Sequence, residues 1–152
     1  GINRFVVAST RGATAKDFME AVTGTDHRLV IVPWQFGFKG EDQPFPQERV
    51  GELRAKNHQV HFGTMLFHTT EFYGTSAPQA MANVLRTFGQ GTKVCLEILL
   101  MACDGGCIRI GEKVIAVAGT GSGADTALVA TAAPTTRLGS LRIHEIICKP
   151  VM

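Results

Sequence analysis

Charge is scarce in this 152-residue chain, and neither sign is concentrated anywhere along it. Lysine and arginine number 15 and aspartate and glutamate 13, which together make 18% of the residues and give a net charge of +2. Basic residues occur singly or in isolated pairs, which excludes the basic stripe of a nucleic-acid-binding protein. With 45% hydrophobic residues, residues 1–152 have the composition of one compact globular domain.

Long apolar runs and patterned cysteines are also missing. The apolar run VCLEILLMAC stops after ten residues and contains Glu97, whereas a membrane-spanning helix needs about 20. No signal-peptide pattern is present. The cysteines lack zinc or redox spacing, so we expect free thiols in a cytoplasmic protein: Cys95, Cys103, Cys107 and Cys148.

The common catalytic and cofactor motifs are absent as well. The sequence contains neither a GxxxxGK[ST] phosphate loop nor a GxSxG nucleophile turn. His58, His61 and His68 cluster, but no carboxylate or cysteine stands at ligand spacing, so no metal site is predicted. The segment GTGSGADT at 119–126 follows a strand but precedes an extended run, which argues against a dinucleotide-binding turn. No catalytic constellation can be assigned, and whether the chain is an enzyme stays open.

What the chain does contain is an alternation of strand and helix patterns. Strands are predicted at 5–8, 29–32, 60–62, 113–118, 127–133 and 141–148, and helices at 15–22, 46–57, 77–88 and 92–103. Such alternation predicts an α/β fold with a largely parallel sheet. The last strands follow one another without a helix, so at least one of them should be antiparallel at an edge. The expected sheet is mixed.

Four loops follow strands directly, at 9–14, 33–40, 63–75 and 119–126, and parallel strands bring such loops to one edge of the sheet. The first turns through Ser, Thr and Gly into a helix N-terminus, which favours a phosphate. The aromatic rings of the second either pack on the core as a lid or stack a planar ligand. The last is either a flexible turn or a backbone nest for an anion or a sugar. The predicted binding residues are Ser9, Thr10, Arg11, Gly12, Thr14, Trp34, Phe36, Gly37, Phe38, Gly63, Thr64, Thr120, Gly121, Ser122, Gly123 and Asp125.

One polar stripe interrupts the most apolar helix. Lys93 precedes Glu97 by one helical turn, and Asp104 follows about two turns later. The spacing favours a solvated or interface Lys93–Glu97 pair. The alternative is a buried carboxylate with a raised pKa, able to act as an acid or base.

Three segments together resemble the small stand-alone proteins that are similar to the pyruvate kinase C-terminal domain. They are VVASTRGATA, GQGTKVCLEILLMACDGG and EKVIAVAGTGSGADTALV, and the resemblance spans nearly the whole chain. It implies a three-layer α/β/α domain whose last strand or strands run antiparallel. It also implies that an additional N-terminal helix is missing before Gly1. The catalytic barrel of pyruvate kinase has no counterpart here, so that activity is excluded.

In regulated pyruvate kinases this domain binds the phosphates of a sugar-bisphosphate activator through a loop reading approximately Ser-Gly-Arg-Ser/Thr-Ala. Gly12, Thr14 and Ala15 match its glycine, hydroxyl and alanine. Arg11 stands in place of the serine and Ala13 in place of the arginine, so the positive charge has moved two places or been lost.

The sequence thus favours a binding domain for a phosphate-bearing small molecule, with flavin mononucleotide (FMN) as the preferred ligand. The first alternative is an enzyme in the same pocket, either flavin-dependent or using Glu97 or Asp125 for proton transfer. The second is a structural module that forms homo-oligomers through an exposed edge strand and an apolar helix.

Overall fold

The computed structural model describes residues 1–151 as six strands and five helices. The strands are β1 Arg4–Ala8, β2 Arg28–Val32, β3 Gln59–Val60, β4 Lys113–Ala118, β5 Thr126–Thr131 and β6 Arg142–Cys148. The helices are α1 Ala13–Ala21, α2 Gln47–Ala55, α3 Thr70–Tyr73, α4 Ala77–Arg86 and α5 Gln90–Asp104. Two 3-10 turns cover Leu66–His68 and Thr135–Ser140.

All six strands form one sheet in the order β3-β2-β1-β4-β5-β6. β3, β2, β1 and β4 run parallel, whereas β5 and β6 are antiparallel to their neighbours. The central strand β1 places Val6 opposite Val30 of β2 and Ala116 of β4. The predicted α/β fold with a mixed sheet and antiparallel C-terminal strands is confirmed.

Helices cover both faces of the sheet because successive strand residues point to opposite sides. On one face Val7 and Ile31 pack with residues of α1 and α2, such as Met19 and Leu53. On the other face the sheet packs against α5, a helix apolar on nearly every side. An all-round apolar helix has to be buried, and α4 together with the Leu66–His68 turn covers its outer side.

Two features of the chain differ from the sequence prediction. The loop at 63–75 contains a 3-10 turn and the short helix α3. Strand β3 is only two residues long, although the N–H of His61 still donates to the carbonyl of Ile31. β3 lies at the edge of the sheet and pairs only with β2, through Gln59 and Val60.

The opposite edge strand, β6, is exposed at all seven of its residues. Its isoleucines are 37–49% exposed, and two register irregularities interrupt its pairing with β5. The four cysteines are free, and burial of Cys95 raises the pKa of its thiol to about 12. Within residues 1–151, no helix is long and apolar enough to cross a membrane.

Candidate ligand-binding cavity

The strand order creates a crevice between β1 and β4. The chain leaves β1 toward β2 through α1 on one face of the sheet, and it reaches β4 from α5 on the other face. Ligands of open α/β sheets bind at such a reversal, beyond the carboxyl ends of the strands. A cavity of about 660 Å³ opens there, which is within the usual size range for small-molecule sites.

The turn between β1 and α1 forms one wall of this cavity. Gly12 has a φ of 87°, and a Cβ atom there would lie 3.2 Å from Cδ of Pro46, so the turn needs glycine. The hydroxyl of buried Ser9 accepts a hydrogen bond from the N–H of Ala15 at 3.2 Å. Ser9 therefore satisfies one N–H group in the first turn of α1. The N–H groups of Ala13 and Thr14, which have no partner within the helix, belong to residues that line the cavity.

The aromatic loop after β2 forms the opposite wall, and its rings divide between two sides of the sheet. Trp34 and Phe38 line the cavity with ring centroids 5.1 Å apart, and both pack against the core beneath α5. Phe38 also meets the ring of His68 edge-on at 4.8 Å. Phe36 is 63% exposed and contacts Phe62 on the other face, so it lies outside the cavity, as does Gly37.

The glycine-rich loop after β4 closes a third side. Gly121, Ser122 and Gly123 line the cavity, and both glycines have positive φ values. The carboxylate of Asp125 does not reach the lining, because it accepts hydrogen bonds from the Thr120 N–H and the Thr126 hydroxyl. Burial opposes ionisation of Asp125, but these hydrogen bonds outweigh it and hold its pKa below the ordinary value.

The floor and far wall come from residues that the sequence did not single out for binding. Lys39 lies in the aromatic loop, Met65 and His68 belong to the loop after β3, and the remainder lie on or near α4 and α5. They are Arg86, Gln90, Val94, Ile98 and Met101, together with Lys93 and Glu97. The sequence signal for this wall is the pair of polar residues within the apolar α5.

The predicted Lys93–Glu97 pair was to be either solvated or at an interface, and the solvated alternative is wrong. Lys93 is 1% and Glu97 2% exposed, because the outer side of α5 is covered by the Leu66–His68 turn. Nζ of Lys93 donates to Oε2 of Glu97 at 2.5 Å, and it lies 3.2 Å from Nε2 of His68. Oε1 of Glu97 accepts the N–H of Phe67 at 2.9 Å. Asp104, the third member of the predicted stripe, is exposed and binds Thr135 instead.

The cavity wall is strongly cationic. Four basic side chains line it, against the single carboxylate of Glu97: Arg11, Lys39, Arg86 and Lys93. Arg86 is held by hydrogen bonds from its guanidinium to Gln90 and Asn83 at 2.8 and 2.9 Å. Burial and the Lys93 charge lower the pKa of His68, so this imidazole is neutral near pH 7. An anionic ligand therefore meets an excess of positive charge.

Gly63 and Thr64 line a second cavity of about 770 Å³ on the outer side of α5. The imidazole of His61 lies against both Gly63 and Gly105, at distances that leave no room for a Cβ atom on either glycine. This contact fixes the start of the loop beside the C-terminal end of α5, away from the β1–β4 crevice. His68 and Met101 stand in the wall shared by the two cavities.

Of the sixteen predicted binding residues, nine line the β1–β4 cavity: Ser9, Thr10, Arg11, Thr14, Trp34, Phe38, Gly121, Ser122 and Gly123. Gly12 and Thr120 support its turns without lining it. Within residues 1–151, no group of three or more His, Cys, Asp and Glu side chains is placed to hold a metal ion.

No protein-family model matches this chain. The similarity to the pyruvate kinase C-terminal domain therefore stays a prediction from the three sequence segments.

Three histidines with lowered pKa values predict a loss of stability in mild acid. Burial is the main cause that lowers the pKa values of His58, His61 and His68. The unfolded chain then binds more protons than the folded chain below about pH 6.5, so the free energy of unfolding should fall as the pH drops through that value. Urea denaturation at about pH 7.5 and about pH 5 measures the difference.

His58→Asn provides the control for this prediction. Nδ1 of His58 accepts the N–H of Leu29, and an asparagine oxygen can replace that acceptor without titrating. The stability difference between the two pH values should therefore be smaller in the variant. An equal difference in both proteins would show that His58 does not contribute.

Proposed function

We propose that this chain is a binding domain for a phosphate-bearing small molecule, held in the β1–β4 cavity. The observation that carries the proposal is the charge of the cavity wall, where four basic side chains oppose one carboxylate. A phosphate monoester carries about −1.5 to −2 charges at pH 7 and accepts several hydrogen bonds. Arg11 and the first N–H groups of α1 supply donors on the side where the sequence predicts a phosphate.

Our preferred ligand is FMN, and the lining residues suit its parts. The phosphate would be held at the β1–α1 turn, the ribityl hydroxyls by Ser122 and Gln90, and the isoalloxazine ring against Trp34 and Phe38. His68 and Lys93 offer polar groups to the ring's edge. FMN would supply hydride or single-electron transfer when bound. The chain's own residues would bind and orient it and exclude water from the apolar wall.

A thermal-shift measurement with FMN, riboflavin and inorganic phosphate tests the proposal. A ligand present at 100 times its dissociation constant stabilises the folded chain by about 2.7 kcal/mol. We expect FMN to raise the melting temperature and riboflavin, which lacks the phosphate, to raise it much less. Equal shifts would contradict phosphate recognition. A shift by other phosphorylated metabolites but not by FMN would keep the ligand class and reject FMN.

Arg11→Met should weaken binding of the phosphorylated ligand about tenfold or more, since a hydrogen bond to a charged group contributes about 1.5–3 kcal/mol. Arg11 lies in the turn between β1 and α1 and lines the cavity on the side where the phosphate would be held. Arg54→Met is the matched control, because Arg54 is exposed on α2 and lines neither cavity. Titration calorimetry compares the two variants. Equal affinities would place the phosphate elsewhere.

An enzyme in the same cavity is the second candidate. One of its two proposed proton-transfer carboxylates, Glu97, lines the cavity beside Lys93 and His68, whereas Asp125 is engaged within its own loop. A purified protein that is yellow, and whose absorption bleaches on reduction, would support a flavin enzyme. A colourless protein unaffected by FMN would remove that version.

Homo-oligomerisation through β6 is supported by the exposed isoleucines of that edge strand. Unpaired strand edges are templates for pairing with another chain. Light scattering distinguishes this candidate, since a solution mass near 16.3 kDa would count against it.

A further inference from the structure

Lys93 is an unusual residue of the cavity lining because its side chain is buried. Its side chain is 1% exposed, and it ranks among the largest fully buried side chains of the chain. Burial lowers the pKa of its ammonium group, while Glu97 opposes that shift. Lysines in such surroundings form imines with carbonyl compounds in many enzymes, because the neutral amine becomes accessible at ordinary pH.

We propose that Lys93 forms a protonated imine with a ligand that carries both a phosphate group and an aldehyde or ketone. This inference rests on the proposed phosphate-binding function, because it uses the same cavity for the phosphate. It keeps the phosphate-bearing ligand class but sets FMN aside, because FMN carries neither an aldehyde nor a ketone. It adds the chemical class of the second group, a carbonyl directed at the floor of the cavity.

The neighbours of Lys93 provide what imine formation requires. His68 Nε2 stands 3.2 Å from Nζ and, as a neutral imidazole, can accept a proton from the ammonium. The freed amine lone pair then forms the N–C bond to the carbonyl carbon, and the π electron pair of the C=O bond moves to oxygen. A proton shifts from nitrogen to that oxygen, which gives a carbinolamine.

In the second half of the reaction, His68 gives back the proton that it accepted from the ammonium group. His68 protonates the carbinolamine hydroxyl, the C–O bond breaks to release water, and the nitrogen lone pair forms the C=N bond. The net change is one ammonium and one carbonyl converted to one protonated imine and one water. The nitrogen carries a single positive charge before and after, so Glu97 pairs with it in both states. The ring of Phe67, 5.2 Å from Nζ, favours a cation there in both states too.

Lys39 is the competing amine in the cavity, and its surroundings differ. It is exposed, and its Nζ lies 5.1 Å from the centre of the Trp34 ring with no carboxylate in contact among the described ion pairs. Among the described hydrogen bonds, Nζ of Lys39 has no contact with a side-chain base, whereas Nζ of Lys93 contacts Nε2 of His68. The geometry therefore selects Lys93 over Lys39.

The test traps the imine with a probe of the proposed class. The full chain is incubated with pyridoxal 5′-phosphate at a concentration near that of the protein, reduced with borohydride, and examined by intact mass and peptide mapping. Pyridoxal, which lacks the phosphate, is the matched probe. We expect about one adduct per chain, on Lys93, with the phosphorylated probe, much less with pyridoxal, and competition by inorganic phosphate.

Two variants keep the result interpretable. Lys39→Met removes one basic side chain of the cavity and should still form the adduct on Lys93 at a saturating concentration of the probe. Lys93→Met combined with Glu97→Gln removes both buried charges together and should lose the adduct. Circular dichroism confirms that each variant is folded before labelling. An adduct retained by the double variant would overturn the proposal.

The remaining outcomes distinguish the failure of the imine on Lys93 from the failure of the proposed phosphate-binding function. Labelling of Lys39, or equal labelling of exposed lysines such as Lys16 and Lys113, would overturn the imine. Stabilisation by phosphorylated compounds without an adduct would overturn the imine and leave the proposed binding function intact. An adduct on Lys93 formed equally by pyridoxal would overturn the phosphate-bearing class. The absence of both adduct and stabilisation would reject the binding function as well.

Discussion

Replacing Lys93 by methionine is expected to lower the free energy of unfolding by about 3–5 kcal/mol, the usual cost of removing one partner of a buried ion pair. The variant leaves the Glu97 carboxylate buried with its Oε2 atom unpaired, because only Oε1 has a second partner, the N–H of Phe67. Urea denaturation near neutral pH measures the loss. A cost below about 1 kcal/mol would show that water reaches Glu97 in the folded chain.

Two further variants separate burial from the loss of a charge pair. Lys16→Met removes the same i,i+4 pairing from α1, where Lys16 and Glu20 are 54% and 63% exposed, and should cost less than about 0.5 kcal/mol. Lys93→Met with Glu97→Gln removes both buried charges and keeps an oxygen for the Phe67 N–H. That double variant should lie within about 2 kcal/mol of the unaltered chain, since replacing a whole buried pair is often nearly neutral.

The contrast between these two ion pairs shows why the burial of Lys93 and Glu97 could not be predicted from the sequence. Lys16–Glu20 and Lys93–Glu97 have identical spacing, and spacing reports only that two side chains share a helix face. Whether that helix face is exposed to solvent depends on which segment, distant in the sequence, packs over it. The cover over Lys93 is the Leu66–His68 turn, about 25 residues away in the chain, whose position the local pattern does not encode.

The fold could be predicted from the sequence more completely than the candidate site, because strands and helices follow from the periodicity of apolar residues. The apolar run of β4 and the strand-to-helix turn of β1 are local signals, and the convergence of loops follows from parallel strands alone. Which side each loop residue faces is a different matter. Phe36 and Phe38 are two residues apart, yet only Phe38 lies in the cavity, because the loop between them turns at Gly37 with a φ of 75°.

The loop after β3 shows the same limit. It was expected to bring Gly63 and Thr64 to the common site, but the His61 ring fixes them beside Gly105 in the wall of the second cavity. Only residues farther along this loop, Met65 and His68, reach the first cavity. A contact between His61 and a glycine more than 40 residues away decides this, and no pattern within the loop reports it.

Gly91→Ala is expected to destabilise the fold by about 2 kcal/mol or more, although alanine is the better helix former. Gly91 is buried in the first turn of α5, and a Cβ atom there would lie 2.1 Å from Oγ1 and 2.5 Å from Cβ of Thr126, the first residue of β5. Neither atom can withdraw, because Thr126 is buried and its hydroxyl is bonded to Asp125. Forced overpacking of this kind costs typically 1–3 kcal/mol, and α5 would have to move away from the sheet.

Gly51→Ala is the matched control, since Gly51 also lies within a helix but a Cβ atom there would meet nothing within 4 Å. This variant should gain stability by about 0.5–1 kcal/mol from helix propensity alone. Opposite signs for the two variants in urea denaturation would establish that α5 is pressed onto β5 at Gly91. A displaced α5 would also shift Gln90 and Lys93 on the cavity wall, so Gly91→Ala should weaken binding of the phosphorylated ligand, whereas Gly51→Ala should leave it unchanged. Unaltered stability in Gly91→Ala would mean that the N-terminal end of α5 moves away from β5 at no cost in free energy. The cavity floor, which α5 carries, would then move as well.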